Sequence, residues 1–333
     1  MIYEYALDPI LVVNWAIGGH GRIVGQFGMD QRRIVSDYPK DWVGEVYGAF
    51  YKHFGYDDSS LEFQNAQPEL QSYVQWLSEF TVQRGVKRAA EHTWLQGAVA
   101  EHSRRPFHAI MTTTGDGVEC HEVITPEALD NLRDSRWYLP TITATKKSAD
   151  DLAAAMEPML RKAKYIVLVD PYFDASDVRY QASFSALVRA ACGARGGGSG
   201  LPELVVMTGI EQKHKSHEGE FTREAMTRVA DDLRVKAQRE LPKFLPTGMS
   251  VSFYCLKHPD AGDPLHNRYV LTDIGGVIAP YGLAEYKRGE AHDAKDDLTP
   301  MPKGMYNERH KQYVDKAGID IVLGEIRIEG HAK

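Results

Sequence analysis

A histidine, an arginine and an aspartate occur at short spacing in residues 264–273, which read PLHNRYVLTD. Side chains two residues apart on a β-strand lie on the same face, so we expect His266 and Arg268 to lie side by side. An imidazole can attack phosphorus, and a guanidinium can bind two phosphate oxygens at once. Asp273, in the turn beyond the strand, could hold a histidine in its reactive tautomer. The spacing fits phosphate chemistry, and it fits equally a core strand with a surface histidine and arginine.

An apolar run, residues 165–169, precedes Asp170-Pro171-Tyr172-Phe173 and predicts a strand covered on both faces. Further elements are predicted before the motif strand: a helix at 183–192, a strand at 204–208 and a helix at 222–240. Asp170 and Tyr172 follow the carboxyl end of a strand, where open α/β sheets bind their ligands. A carboxylate that only caps the turn is the alternative for Asp170.

The motif resembles the H-x-K-x4-D signature of the phospholipase D superfamily, with Arg268 in the place of the lysine. The strand that ends in Pro-Tyr-Phe, and the order strand, helix, strand, helix, motif strand, are similar to one repeat of that family. The resemblance implies an α/β domain with a mixed sheet flanked by helices. It also implies phosphodiester hydrolysis through a phosphohistidine, with no metal and no other cofactor.

The resemblance also implies roles for individual residues. The predicted catalytic residues are His266, Arg268, Asp273 and Glu285, and the predicted substrate-binding residues are Asp170, Tyr172 and Tyr281. The family's chemistry uses two histidines, of which one attacks phosphorus and the other protonates the leaving oxygen. This sequence has a single motif and no internal repeat, so the resemblance implies a homodimer with one His266 from each subunit at a shared phosphate.

Residues 1–138 have a different pattern. Apolar and aromatic residues recur at helical spacing within 41–54 and 68–100, which predicts helices. Residues 107–113 and 119–124 are strand-like and flank an Asp-Gly pair, which predicts a β-hairpin. We therefore predict a mainly helical N-terminal domain with a hairpin, for recognition or for binding a partner protein. The phospholipase D-like domain is predicted to occupy residues 139–333.

The composition limits the kinds of partner. The chain has 333 residues and a net charge of −7, so any phosphate binding must come from a local basic site. Cys120, Cys192 and Cys255 have neither metal-site nor disulfide-framework spacing. No apolar run approaches the roughly 18 residues that cross a bilayer, and the N-terminus lacks a signal-peptide pattern. These features predict a cytoplasmic protein with no membrane partner.

We therefore predict a metal-independent phosphodiesterase that acts on nucleic acid, a nuclease similar to family members of antiviral defence systems. Nothing in the sequence has the basic amphipathic pattern of a lipid-binding helix. One alternative is a catalytically silent domain that binds phosphate groups or partner proteins, because residues 278–283 lack the Ser and Asn that follow the family motif. Another is a metal-dependent hydrolase that uses His214 and His217, which are spaced for one face of a helix.

Overall fold

The chain divides into two compact units. The computed structural model describes residues 1–330 except 57, 116, 131–133, 194–199, 211–221, 258–266 and 287–294. The first unit contains residues 2–140, and the second contains residues 141–193 and 200–330 together with Met1. The division follows Pro140, close to the predicted domain boundary at Tyr138.

The first unit is built on a five-stranded sheet whose neighbouring strands are all parallel, in the spatial order β3-β2-β1-β4-β5. The strands are β1 (Tyr3–Leu7), β2 (Arg33–Asp37), β3 (Thr81–Gln83), β4 (Ala109–Met111) and β5 (Val123–Ile124). The helices are α1 (Pro9–Gly18), α2 (Gly21–Val24), α3 (Trp42–His53), α4 (Leu61–Glu79) and α5 (Trp94–Arg104). The chain builds the sheet outward from β1 in one direction, then returns to add β4 and β5 on the other side.

Local sequence signals account for the helix ends in this unit. Asp8 is the N-cap of α1, where its carboxylate accepts the Ile10 N–H and Pro9 occupies the first turn. Thr93 and Gln96 form a reciprocal capping box at the start of α5. Apolar side chains cover the sheet on both faces, one cluster including Leu11, Trp42 and Leu70 and the other including Tyr38, Leu95 and Phe107. Coverage of both faces is the usual condition for a parallel sheet.

The prediction of a mainly helical domain with a hairpin was wrong in its architecture. Helices do occupy most of 41–54 and 68–100, but they pack on a parallel sheet that the prediction missed. The strands predicted to form the hairpin, β4 and β5, are parallel neighbours, with Ile110 opposite Val123. A tight turn cannot join parallel strands. The missed strands, β1, β2 and β3, are three to five residues long, too short to establish a two-residue period.

The second unit is built on an eight-stranded mixed sheet in the order β13-β9-β8-β7-β10-β11-β12-β6. The strands are β6 (Thr143–Lys146), β7 (Tyr165–Val169), β8 (Glu203–Gly209), β9 (Ser250–Lys257), β10 (Tyr269–Thr272), β11 (Gly275–Ile278), β12 (Lys295–Pro300) and β13 (Asp320–Glu329). The helices are α6 (Ala149–Leu160), α7 (Val178–Cys192), α8 (Arg223–Glu240) and α9 (Lys303–Tyr313). The predicted α/β class, a mixed sheet flanked by helices, is confirmed at this level.

The elements predicted around the motif are present in the predicted order. Ser148 caps α6 by accepting the Asp151 N–H at 3.2 Å, and Thr222 caps α8 in the same way. Strand β7 lies between β8, which is parallel to it, and β10, which is antiparallel. Because Val169 is opposite Tyr269, the residues after β7 and before β10 meet at one edge of the sheet. None of the described helices combines the length and apolar character needed to cross a membrane.

Candidate functional site

Asp170, directly after β7, is a carboxylate with only 1% of its surface exposed. Its Oδ1 accepts the Tyr172 N–H at 2.9 Å and the Tyr180 hydroxyl at 3.4 Å. Its Oδ2 accepts the Leu283 N–H at 3.0 Å. Burial raises the pKa of Asp170, and the hydrogen bonds and Arg268 oppose that rise. Asp170 thus ties the turn after β7 to the turn that follows β11.

Arg268, directly before β10, lies beside this carboxylate. Its guanidinium carbon is 4.5 Å from the centre of the Tyr172 ring, and Nη1 donates to the Pro280 carbonyl at 2.9 Å. Its Nε is 4.0 Å from Asp170 Oδ1, too far for a hydrogen bond. Within the described residues, this buried Nε has no hydrogen-bond partner. The side chain keeps 24% exposure, so an anion from solvent can reach an oriented guanidinium.

Gly282 permits the close approach of the two turns. Its φ of +85° lies in the left-handed region, which side-chain-bearing residues rarely adopt. A Cβ there would lie 3.2 Å from Asp170 Oδ2 and 3.6 Å from Arg268 Nε. The Ala279 N–H donates to the Arg268 carbonyl at 3.0 Å, which fixes the backbone of both segments. A larger residue at position 282 would separate the carboxylate from the turn that it holds.

A second charged pair lies on the other side of the same turn. Lys147 Nζ donates to the Tyr281 carbonyl at 3.0 Å and lies 5.9 Å from the Tyr281 ring centre. Asp296, on β12, is fully buried, and neither of its carboxylate oxygens has a hydrogen-bond partner among the described residues. Burial raises the pKa of Asp296, and the charge of Lys147 opposes the rise. The Tyr281 side chain is 67% exposed and faces solvent.

The structure brings some of the predicted site residues together and separates another. Asp170, Tyr172 and Arg268 meet, and the exposed Tyr281 belongs to the adjoining turn. Asp273 lies beyond the opposite end of β10, where its Oδ1 accepts the Lys164 N–H at 2.8 Å. A strand rises about 3.3 Å per residue, so Asp273 is far from Arg268. Asp273 lies in the turn beyond the strand, as predicted, and so at the opposite edge of the sheet from Arg268; its predicted contact with a histidine stays a prediction.

Two further predicted residues have less defined positions. Glu285 follows the turn, half-buried, and its N–H donates to the Arg179 carbonyl at 3.5 Å. No contact of its carboxylate with Arg268 occurs within the described residues. His266 belongs to residues 258–266, and His214 and His217 belong to residues 211–221, so all three lie outside the described residues.

Sequence reasoning missed several participants in this cluster. They are Lys147, Tyr180, Asp296, Gly282 and the Leu283 N–H. Only Asp296 carries a readable signal: it alternates with exposed neighbours on β12 and shares its inward face with Leu298. The other four come from segments whose pairing with β7 and β10 no local pattern encodes.

One group of potential metal ligands occurs among the described residues, in the first unit. One ligand atom each from His102, Cys120 and Glu122 lies within 4.8 Å of the other two. His102 Nδ1 accepts the Phe107 N–H at 3.1 Å, which leaves the ring proton on Nε2, 3.5 Å from Glu122. A ligating histidine instead donates from the nitrogen that does not bind the metal. The observed tautomer therefore favours a hydrogen-bonded cluster.

No protein-family model and no curated protein sequence matches the chain significantly. Among solved structures, one titled as TrmBL2, an archaeal chromatin protein with a novel mode of DNA binding, aligns with 59% of this chain and 59% of its own. The sequence identity is 11% and the TM-score is 0.25. A TM-score of this size supports neither a shared fold nor a shared function.

Proposed function

We propose that the second unit is a metal-independent phosphodiesterase domain that acts on nucleic acid, a nuclease. One observation carries the proposal: an arginine at the carboxyl end of β7 is oriented by a ring and a carbonyl, and its Nε has no hydrogen-bond partner in the described part of the chain. Arg268 is two residues from His266 in sequence. A guanidinium donates strong hydrogen bonds to phosphate oxygens, and the partly exposed side chain leaves Nη2 able to do so, while Nη1 donates to Pro280 and Nε is buried.

In the proposed reaction, a nitrogen of His266 forms a bond to phosphorus as the bond from phosphorus to the leaving oxygen breaks. A second acid protonates that oxygen, and water then hydrolyses the phosphohistidine. Arg268 stabilises the negative charge on the phosphoryl oxygens throughout. Asp170 is a positioning residue, since it holds the Leu283 turn and faces Arg268. The role of His266 rests on the resemblance to the phospholipase D superfamily.

A single motif per chain supports a shared site. The chemistry needs a nucleophile and an acid, and the described part of the cluster offers no second histidine to protonate the leaving oxygen. We propose that a second copy of this chain supplies it, with the two His266 residues across a two-fold axis. Cross-linking with a lysine-reactive reagent and light scattering should both show a dimer. When His266→Ala subunits are mixed with wild-type subunits, the activity per wild-type subunit should fall. A fully active monomer would contradict this arrangement.

A second candidate function is phosphate binding without turnover. The Leu283 N–H already donates to Asp170, and Arg268 Nη1 already donates to the Pro280 carbonyl, so neither is free to bind a phosphate. Residues 278–283 supply neither a serine nor an asparagine side chain to the phosphate. Both candidates predict an anion at Arg268, and they differ only in whether the phosphodiester bond is broken.

The deciding experiment incubates the full chain with labelled single- and double-stranded DNA and RNA in EDTA. The variants are His266→Ala, Arg268→Ala and, as a matched surface control, Arg234→Ala on α8. Cleavage that His266→Ala abolishes and Arg234→Ala retains supports the nuclease, and acid-labile phosphate on the wild-type protein supports the phosphohistidine. Binding without cleavage supports the silent domain. Cleavage that EDTA stops would favour a metal-dependent hydrolase, and absence of both binding and cleavage would overturn both candidates.

A defence role can be tested apart from the chemistry. If the nuclease serves antiviral defence, expression in a bacterial host should lower the plating efficiency of some phages. His266→Ala, expressed at the same level, should restore it. Equal protection by both proteins would contradict a defence role that depends on cleavage.

A further inference from the structure

A cleft opens in the first unit at the carboxyl edge of its parallel sheet. Its volume is about 760 Å³, within the range of roughly 300–1,000 Å³ that is usual for small-molecule sites. Asp8, Pro9 and Ile10, directly after β1, form one wall, and the exposed face of α3 forms another. We propose that this cleft binds a nucleotide.

The position of the cleft is the first argument. Strand β1 is where the strand order reverses, with β2 and β3 on one side and β4 and β5 on the other. In open parallel sheets, ligands bind outside the carboxyl ends of the strands, where the order reverses. The cleft lies beyond the ends of β1 and β2, and the first turns of α1 and α3 both border it. None of the described residues that follow β4 lines it, so the cleft adjoins the reversal point on the β2 side.

The carboxylates of the cleft are held by the protein itself. Asp8 accepts the Ile10 N–H at 2.9 Å and the Thr112 hydroxyl at 2.8 Å. Asp41 accepts the Gly44 N–H at 3.3 Å. Because Asp8 occupies the N-terminus of α1, a phosphate is excluded from the position that it takes in glycine-rich dinucleotide sites. The anionic group of a ligand must therefore bind elsewhere in the cleft.

The cations of the cleft provide that place. Arg88 Nη2 lies 3.8 Å from Glu45, so this pair is largely neutral. Lys40 and Lys52 also line the cleft, both exposed, and neither ammonium group has an ion-pair or hydrogen-bond partner in the described part of the chain. Three acids and three bases line the cleft, so its formal charges balance. The acids accept hydrogen bonds or pair within the unit, so the free charged donors are the two lysine ammonium groups, which can bind phosphate oxygens.

The remaining lining fits a planar ring. Trp94, Pro9 and Ile10 all line the cleft, and Ile10 is 54% exposed although it is a large apolar side chain. Aromatic and apolar side chains of this kind stack on nucleobases. Gly48 on α3 leaves free space beside the cleft, since a Cβ built there meets no atom within 4 Å. A ring surface together with unpaired lysines selects a nucleotide over inorganic phosphate or a simple apolar ligand.

The test titrates the full chain with ATP, GTP, NAD⁺, adenosine and inorganic phosphate by calorimetry. Arg268→Ala serves as the background, so that phosphate binding in the second unit does not contribute. We expect at least one nucleotide to bind at least about tenfold more tightly than adenosine or phosphate. Failure of all three nucleotides to bind would overturn the proposal, and equal affinity for phosphate would replace the nucleotide with a simple anion.

Variants then locate the site. Gly48→Leu fills the cleft from an exposed helical position, where leucine favours the helix more than glycine does. Lys40→Glu and Lys52→Glu reverse the charge of the two free lysines. The matched controls are Ala100→Leu and Lys87→Glu, exposed positions of the same unit outside the cleft. Gly48→Leu and at least one lysine variant should weaken binding at least about tenfold, with the controls unchanged. Equal binding by all variants would place the nucleotide elsewhere and overturn the proposal.

Discussion

Each unit contains an arginine beside a buried carboxylate, and the two arginines are held differently. In the first unit, Arg84 is fully buried and donates through Nε and Nη2 to the two oxygens of Glu4, each at 2.8 Å. Its Nη1 donates to Glu101 at 3.0 Å. In the second unit, Arg268 faces Asp170 at 4.0 Å and is 24% exposed.

The difference separates a structural arginine from one that can serve a ligand. The donors of Arg84 are directed at protein acceptors, and its charge is neutralised inside the unit by Glu4 and Glu101. Arg268 is oriented by stacking and by one carbonyl, contacts that leave its Nε without a hydrogen-bond partner in the described region. Substitution should therefore affect stability at the first arginine and ligand affinity at the second.

The largest effect is expected from Arg84→Met, which keeps the side-chain bulk and removes the charge. Glu4 would remain buried without its cation, while Glu101 would keep Arg105 at 2.8 Å. Breaking a buried pair in this way costs about 3–5 kcal/mol. Urea unfolding of the isolated variant should show this loss in the free energy of unfolding. A loss below about 1 kcal/mol would mean that Arg84 is as dispensable as a surface arginine.

Asp170→Ala should have the next largest effect on stability. The variant leaves the Leu283 N–H and the Tyr180 hydroxyl without their acceptor, and an unsatisfied buried donor costs about 1–3 kcal/mol. Phosphate affinity at Arg268 should fall as well, because the turn that orients the guanidinium is released. Thermal unfolding and anion titration measure the two effects. Unchanged values in both would remove Asp170 from the positioning role.

Arg268→Ala should lower ligand affinity and leave stability nearly unchanged, the opposite of what is expected for Arg84→Met. We expect a loss of at least about tenfold in affinity for a short single-stranded oligonucleotide, about 1.4 kcal/mol, with a thermal midpoint close to that of the wild type. Arg268→Lys should retain binding and any cleavage, because lysine is the usual residue in the phospholipase D superfamily that the motif resembles. Fluorescence anisotropy at fixed salt gives the affinities. A destabilised Arg268→Ala protein that binds normally would show that both arginines are structural.

The smallest expected effect is on the pH dependence of stability, through the buried carboxyl of Asp296. Burial raises the folded-state pKa of this carboxyl, so the folded protein keeps a proton that the unfolded chain loses. The contribution of Asp296 to stability is complete below the unfolded-state pKa and falls as pH rises through the folded-state value. Asp296→Asn should therefore gain stability relative to the wild type as pH rises above the ordinary carboxyl pKa of about 4. The exposed neighbour Asp297 supplies the control, Asp297→Asn, for which no such trend is expected.

The sequence predicted the second unit better than the first. Strand β7 is a continuous apolar run, and Ser148 and Thr222 cap their helices as their spacing predicts. In the first unit, β1, β2 and β3 have only three to five residues, so the helices dominated the pattern and the parallel sheet was missed. A long periodic element can be predicted from its own sequence alone. A short buried strand can be predicted only from the strands that pair with it.

The candidate site shows the same limit. Asp170 and Tyr172 were predicted because they follow a strand, and Arg268 because it belongs to a motif. That Arg268 meets Asp170 depends on the pairing of β7 with β10, which is a long-range choice. Asp273 lies in the turn that the sequence predicted, and the rise of the strand separates it from Arg268. Lys147 and Asp296 come from strands or turns at distant points of the chain and reach the site only through the sheet order.

The pairing of β7 with β10 also has a consequence for synthesis of the protein. Val169 pairs with Tyr269, so on the ribosome β7 and its parallel neighbour β8 emerge well before β10, the antiparallel neighbour of β7. Until β10 arrives, one edge of an apolar strand has unpaired backbone groups, the kind of edge that invites mispairing with other chains. Closure of that edge brings Arg268 to Asp170. The proposed anion site therefore forms when β10 completes the sheet, and chains truncated before β10 should aggregate and lack phosphate affinity.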